Sequence, residues 1–272
     1  MIIVEWPEFV KGALIGRSPG GQTAADPRKT AVTIGVFDGI HRGHRLLIEK
    51  IVQKEPEMAP LVVTFKRNPK EFLKKQAWEG GILSLNQRLT IFENMGIKAL
   101  ILIDFTEDFS KMMGKEFLDL VRVWGNPGYL AVGANFHCGF RMDTNAARIK
   151  ALYGEAGIPV EVLDPVLDGS RPVSSSRIRR SLASGDFAGA ARLLGRKVEF
   201  DLAGIQGVLR DRGRFYDTAA LGRLLPPPGS YSVLLHGERS AAGVRVEAVI
   251  ESGGIFIPSG SGMEQPERIE FI

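Results

Sequence analysis

From residue 31 onward, short apolar runs alternate with stretches in which apolar residues recur every three or four positions. Runs of the first kind predict strands buried on both faces, and the second kind predicts amphipathic helices. Residues 31–36 form the first run, and Leu46, Leu47, Ile48, Ile51 and Val52 set the helical period that follows it. Further strands are predicted over residues 61–65, 99–103, 129–132 and 160–163. Between them, Ser84-Leu85-Asn86-Gln87 is a capping box opening a helix that turns Leu89, Ile91, Phe92 and Met95 inward and closes at Gly96. Helices are also predicted over 115–123, ending at Gly125 and Asn126-Pro127, and over 146–155, with Asp143 or Thr144 as N-cap. Residues 1–10 supply an edge strand, and residues 17–29, rich in Gly, Pro and small polar side chains, read as a mobile loop.

Strand-helix-strand repeats imply parallel pairs with right-handed crossovers, so the alternation predicts a doubly wound parallel α/β domain of Rossmann type. Ligands of such sheets bind beyond the carboxyl ends of the strands. His41, residues 65–69, residues 133–136 and residues 174–179 are therefore expected to converge there. From Gly204 the pattern changes to short apolar runs at 231–235, 244–250, 255–257 and 269–272, separated by Gly and Pro turns. These predict a small antiparallel sheet or barrel. With the boundary placed between Asp186 and Gly195, the expected domains are 1–186 and 195–272.

Candidate chemistry concentrates in two places. In Gly35-Val36-Phe37-Asp38-Gly39-Ile40-His41-Arg42-Gly43-His44, a strand passes through a glycine-rich turn into a helix. Free N–H groups and the positive dipole end at a helix start attract anions, and glycines let a nucleotide approach the backbone. His41 and His44 add imidazole donors; two of the chain's four histidines fall in this one turn. In Val173-Ser174-Ser175-Ser176-Arg177-Ile178-Arg179-Arg180, N-capping hydroxyls stand beside guanidinium groups at a second helix start, which makes a second phosphate cradle. A tight turn and a capped basic helix are the plain structural alternatives for each stretch alone; together they favour phosphate binding.

Composition narrows the setting. The net charge of +4 suits an anionic substrate, and the basic residues are dispersed, which gives no sign of a nucleic-acid partner. A single cysteine, Cys138, rules out an intrachain disulfide and fits a reducing cytoplasm. No run approaches the roughly 18 apolar residues of a membrane span, so no membrane partner is expected. The sequence gives no oligomeric state.

Gly35-x-Phe37-Asp38-Gly39-x-His41-x-Gly43-His44 resembles the first signature of the HxGH nucleotidyltransferases, in the Phe-Asp-Gly form found in bacterial FAD synthetases. Ser174-Ser175-Ser176-Arg177-Ile178-Arg179 resembles the second signature of that family. The resemblance implies adenylyl transfer from ATP to FMN with Mg²⁺, giving FAD and pyrophosphate. It implies catalytic roles for His41, His44 and Arg179, and an ATP site at Gly35, Val36, Phe37, Asp38, Gly39, Gly43, Ser174, Ser175, Ser176 and Arg177. It places the flavin-accepting loops at Phe65, Asn68 and Pro69 and at Gly133, Asn135 and Phe136; the metal ligands stay unassigned. Three positions depart from the family: Asn68 replaces a histidine, Asn135 an aspartate and Cys138 an aromatic residue. A different phosphorylated acceptor, as in pantetheine-phosphate or cytidylyl transfer, and a binding protein without catalysis therefore stand as alternatives.

Leu194-Gly195-Arg196 and Pro228-Gly229-Ser230-Tyr231-Ser232-Val233 resemble the riboflavin kinase barrel of the bifunctional family members. Gly213-Arg214-Phe215-Tyr216-Asp217-Thr218-Ala219-Ala220 stands where the kinase Pro-Thr-Ala-Asn signature belongs, and the family continues into a helix beyond the position of Ile272. A degenerate, shortened kinase-like domain without kinase activity is expected.

Overall fold

A computed structural model of the chain describes residues 1–15, 28–73, 78–210, 212–217, 222–237, 243–251, 253–260, 263 and 265–272. The loop expected over residues 17–29 lies outside them except for its last two positions, as do Thr218, Ala219 and Ala220.

Six strands, β1 (Ile2–Glu5), β2 (Thr30–Ile34), β3 (Ala59–Phe65), β4 (Ala99–Ile103), β5 (Pro127–Gly133) and β6 (Val160–Leu163), form one parallel sheet in the order β1-β4-β3-β2-β5-β6. Thr33 pairs with Val62, and Val62 in turn with Leu100; between β2 and β5 the register shifts at Thr30/Ala31. Burial of every residue of β2 and β4 explains why these runs are wholly apolar apart from threonine. Thr33 keeps its hydroxyl satisfied by donating to the Ala131 carbonyl at 2.8 Å. Strands β2 to β4 grow in one direction and β5 and β6 in the other, so the direction reverses between β2 and β5. As expected from the sequence, β1 is an edge strand.

The connecting helices are α1 (Arg42–Val52), α2 (Leu85–Asn94), α3 (Gly114–Gly125) and α4 (Ala146–Glu155). The capping box forms as predicted: the Gln87 N–H donates to Ser84 Oγ at 3.1 Å and the Ser84 N–H to Gln87 Oε1 at 3.2 Å. Asn126 takes the left-handed conformation that ends α3. One expectation is corrected. The N-cap of α4 is Asn145, whose side chain accepts from the Arg148 N–H at 3.0 Å, and neither Asp143 nor Thr144. Asp143 caps α3 from a distance in sequence, accepting from the Gly114 N–H at 3.0 Å.

The chain divides into two compact units, and neither is a single run of sequence. The first comprises Met1–Phe37, Gly43–Gln76 and Leu89–Pro172, and the second Asp38–Arg42, Ala77–Arg88 and Val173–Ile272. The first holds the parallel sheet, whose core gathers Trp6, Phe9, Val32, Leu61, Ile101, Phe117, Leu130 and Tyr153.

The second unit contains α5 (Ser175–Ala183) and α6 (Phe187–Leu194), followed by β7 (Glu199–Asp201), β8 (Val208–Arg210), β9 (Gly213–Asp217), β10 (Gly229–His236), β11 (Val244–Glu251), β12 (Gly254–Pro258) and β13 (Arg268–Phe271). These strands pair antiparallel in the order β7-β13-β10-β11-β12-β9-β8, a curled half-barrel. Phe187 of α6 stacks on Phe271 with ring centroids 4.3 Å apart, and Tyr231 meets Phe187 edge-on. Aromatic pairs of this geometry seat the helix on the sheet. Among the described residues, no helix is long and apolar enough to cross a membrane.

Candidate active site

The carboxyl end of the parallel sheet carries three of the predicted loops on adjacent strands. Residues 35–37 leave β2, residues 66–69 leave β3 and residues 134–136 leave β5, around the point where strand order reverses. That crevice is where open α/β sheets bind ligands. The Gly35 N–H donates to the Val63 carbonyl at 3.1 Å, and Thr64 Oγ1 donates to the Val36 carbonyl at 3.2 Å. Phe65 is half-buried and sits edge-on to Phe105 and Phe109. Asn68 uses its side-chain oxygen to cap the one-turn helix that begins at Pro69, accepting from the Lys70 N–H at 3.0 Å. Beyond Gly133 the chain turns, with the Phe136 N–H donating back to the Gly133 carbonyl. Asn135 is exposed and Phe136 packs against the core.

The backbone of the turn is not held open by glycine alone. Gly39 has φ +88°, yet the other positive-φ positions are Phe37 at 49° and Ile40 at 37°, both fully buried. A bulky or β-branched residue there is strained, and such strain persists only where surrounding contacts over-determine it. Phe37 packs edge-on to His44 at 5.2 Å and to Phe92 at 5.7 Å. Its side chain is core, so any contact of Phe37 with a nucleotide runs through the backbone. His44 is the third residue of α1, and Arg42 and Gly43 are the first two.

Within the second unit, the short segment 38–42 is anchored from several directions. Asp38 is the hub. Its carboxylate pairs with the buried Arg179 and accepts from the Ile82 N–H at 2.9 Å, while its carbonyl accepts from Ser175 Oγ at 2.9 Å. Arg179 also donates through Nε to the Gly80 carbonyl at 3.3 Å and lies 4.9 Å from the centre of the Trp78 ring. Ser174 is the N-cap of α5, accepting from the Arg177 N–H. Ser176 is exposed beside it. Arg196 donates to the carbonyls of Ile40 at 3.0 Å and Gly39 at 2.6 Å. Burial, reinforced by the nearby Arg196 cation, pushes the His41 imidazole down to about 4. His41 is neutral at physiological pH and offers one N–H donor.

Thus the structure brings Asp38, Ser175 and Arg179 together, and with them the segment bearing His41. Several anchors escaped sequence reasoning: Trp78, Gly80, Ile82 and Arg196, and Arg223, which donates to the carbonyls of Gly81 and Ile82. The one readable signal was an arginine inside the apolar run Leu221-Gly222-Arg223-Leu224-Leu225.

Comparison with known proteins bears on this arrangement. A family model described as FAD synthetase matches residues 23–177. The chain belongs to the FAD synthetase family. Relatives include the bifunctional riboflavin kinase/FMN adenylyltransferases of Bacillus subtilis, 28% identical over 75% of this chain and 67% of that one, and of Pseudomonas fluorescens, 32% identical over 65% and 57%. That of Buchnera aphidicola from Acyrthosiphon pisum is 27% identical over 70% of this chain and 62% of its own. This FAD synthetase family member thus spans about three fifths of the length of the relatives it matches. A crystal structure of a macrolide-efflux protein from Streptococcus pneumoniae shares the fold, with a TM-score of 0.73 over 90% of this chain and 92% of that one, at 22% identity.

Proposed function

We propose that this protein is an FMN adenylyltransferase, joining AMP from ATP to FMN to give FAD and pyrophosphate, without riboflavin kinase activity. An FMN phosphate oxygen attacks the α-phosphorus of ATP, the bond from that phosphorus to the bridging oxygen breaks, and pyrophosphate leaves. The attacking phosphate is already ionised, so no general base is required. Catalysis of such a transfer rests on positioning and on stabilising charge that develops on the phosphate oxygens.

In this reading, His41 donates to the transferring phosphate as a neutral imidazole, and His44, in the first turn of α1, where unpaired N–H groups favour an anion, stabilises the same developing charge. Residues 35–39 with Gly43 accommodate the nucleotide, and residues 174–177 carry its other phosphates. Arg179, expected on the leaving phosphates, acts through Asp38, with which it is paired. Phe65, Asn68, Pro69, Gly133, Asn135 and Phe136 line the acceptor side. Among the described residues no group of three His, Cys, Asp or Glu side chains gathers to hold a metal. Mg²⁺, when bound, would supply charge neutralisation on the nucleotide's phosphates, and its protein ligands stay unassigned.

The domains we assign to this chemistry are residues 1–186 for adenylyl transfer and 195–272 as a degenerate kinase-like domain, in a cytoplasmic protein that takes small-molecule substrates. The observation that carries the reading is the meeting of the two signatures at Asp38, whose carbonyl receives Ser175 and whose carboxylate pairs with Arg179. The test is a chromatographic assay for FAD and pyrophosphate from ATP, Mg²⁺ and FMN, run beside riboflavin with ATP. FAD from FMN, with no FMN formed from riboflavin, is the expected result. ATP binding without FAD would sink the flavin assignment and point to another phosphorylated acceptor, in keeping with the departures at Asn68, Asn135 and Cys138.

A further inference from the structure

The histidine segment is supported by a part of the chain that sequence assigns no chemistry. Residues 222–224 lie alongside residues 80–82 as a short parallel bridge: the Gly81 N–H donates to the Gly222 carbonyl at 3.2 Å, and the Leu224 N–H to the Gly81 carbonyl at 3.1 Å. The Arg223 side chain is buried within this bridge. Its guanidinium donates to the carbonyls of Gly81, Ile82 and Glu199 and to Gln87 Oε1, and it lies 5.0 Å from the centre of the Phe200 ring. No carboxylate meets it directly in those contacts. A rigid five-donor fork suits four acceptors held on three separate stretches of chain, which a point-charge lysine would not span.

The stretch that Arg223 fixes is the one that fixes Asp38. The Ile82 N–H donates to Asp38 Oδ1, and the Gly80 carbonyl receives Arg179, the partner of the Asp38 carboxylate. Gly80 has φ +103°, and a Cβ there would stand 2.4 Å from the Leu224 backbone nitrogen, so the bridge admits no side chain at that position. Gly39 is similarly close-fitted, since a Cβ would meet Ile82 at 3.2 Å. The line of contact runs from Arg223 through residues 80–82 to Asp38 and Gly39, two residues before His41.

We propose that Arg223 is a positioning residue for adenylyl transfer, holding residues 80–82 against Asp38 so that the strained turn presents His41 in the reactive geometry. The proposal rests on the function assigned above. It gives the C-terminal segment that carries Arg223 a working role in the reaction of the histidine turn, independent of any kinase chemistry of its own.

The test compares Arg223→Gln, Arg223→Lys and Gly80→Ala in the full chain, with Arg268→Gln as the control for general weakening of the sheet, since Arg268 pairs with Glu199 at 3.2 Å on the same sheet. Hydrogen exchange is read over residues 35–44, over residues 78–88 and, as a third region, over strands β10 and β11. Arg223→Gln and Gly80→Ala should raise exchange in the first two and leave the third protected, with Arg223→Lys intermediate. In the FAD assay kcat should fall about 100-fold, as expected for a misplaced catalytic group, with KM for ATP little changed. Arg268→Gln should leave the turn protected. Unchanged exchange over 35–44 in both variants would overturn the proposal, as would a rise spread equally over β10 and β11. Should the wild-type protein make no FAD, the functional assignment fails, and the exchange pattern still decides whether Arg223 supports the turn.

Discussion

At position 41 a buried imidazole faces the guanidinium of Arg196, and both burial and that cation disfavour its protonated form. The consequence for stability has a definite sign. In the unfolded chain His41 takes up a proton below about pH 6.5, whereas the folded protein resists it until about pH 4. Stability is therefore full above pH 6.5 and is lost as pH falls toward 4. Urea unfolding at pH 7 and pH 4.5 should show this loss shrink by about 2 to 3 kcal/mol in His41→Gln relative to wild type; an equal loss in both proteins would mean that the imidazole is not held neutral. The histidine was legible in the sequence as a phosphate-binding candidate. Its protonation state was not, because the burial of the ring, and the lesser effect of Arg196 from 155 positions away, arise only in the fold.

At the scale of the element, helices and strands follow from local chemistry. The apolar runs became β2 to β6, and the capping box of α2 closed with both of its hydrogen bonds. For α5 the cap is Ser174, and Ser174→Ala should cost about 1 kcal/mol by loss of the bond to the Arg177 N–H. Urea unfolding checks this; no change would place the cap elsewhere, for instance on Ser175. The misreading at α4 has the same physical root. Asp143, Thr144 and Asn145 are all competent caps in a linear sequence, and the contest was decided by the distant N-terminus of α3, whose Gly114 N–H engages Asp143 and leaves Asn145 to begin α4. Likewise the glycines of the histidine turn suggested where the backbone would be unusual, yet two of its three positive-φ residues are Phe37 and Ile40. Packing of buried side chains imposed that geometry, and local propensity does not reveal it.

For the whole molecule, linear segmentation at residues 186–195 separates stretches that the second unit gathers together, since residues 38–42 and 77–88 belong with 173–272. A chain stopped at residue 195 keeps both signature motifs but lacks Arg196, Glu199 and Arg223. Its adenylyl transfer should fall about 100-fold or more relative to the full chain, and full activity of the shortened protein would show that the histidine segment needs none of the C-terminal contacts. What the sequence determined by itself was whatever depends on neighbours within a few residues: the period of apolar positions, the caps, the succession of strands and helices, and the two phosphate-cradling motifs. Tertiary structure alone decided the meeting of Asp38 with Arg179, the neutrality of His41 and the support from Arg223. Each of these joins charged or polar groups more than 100 residues apart, and their energies come from burial and from hydrogen-bond partners that local sequence does not specify.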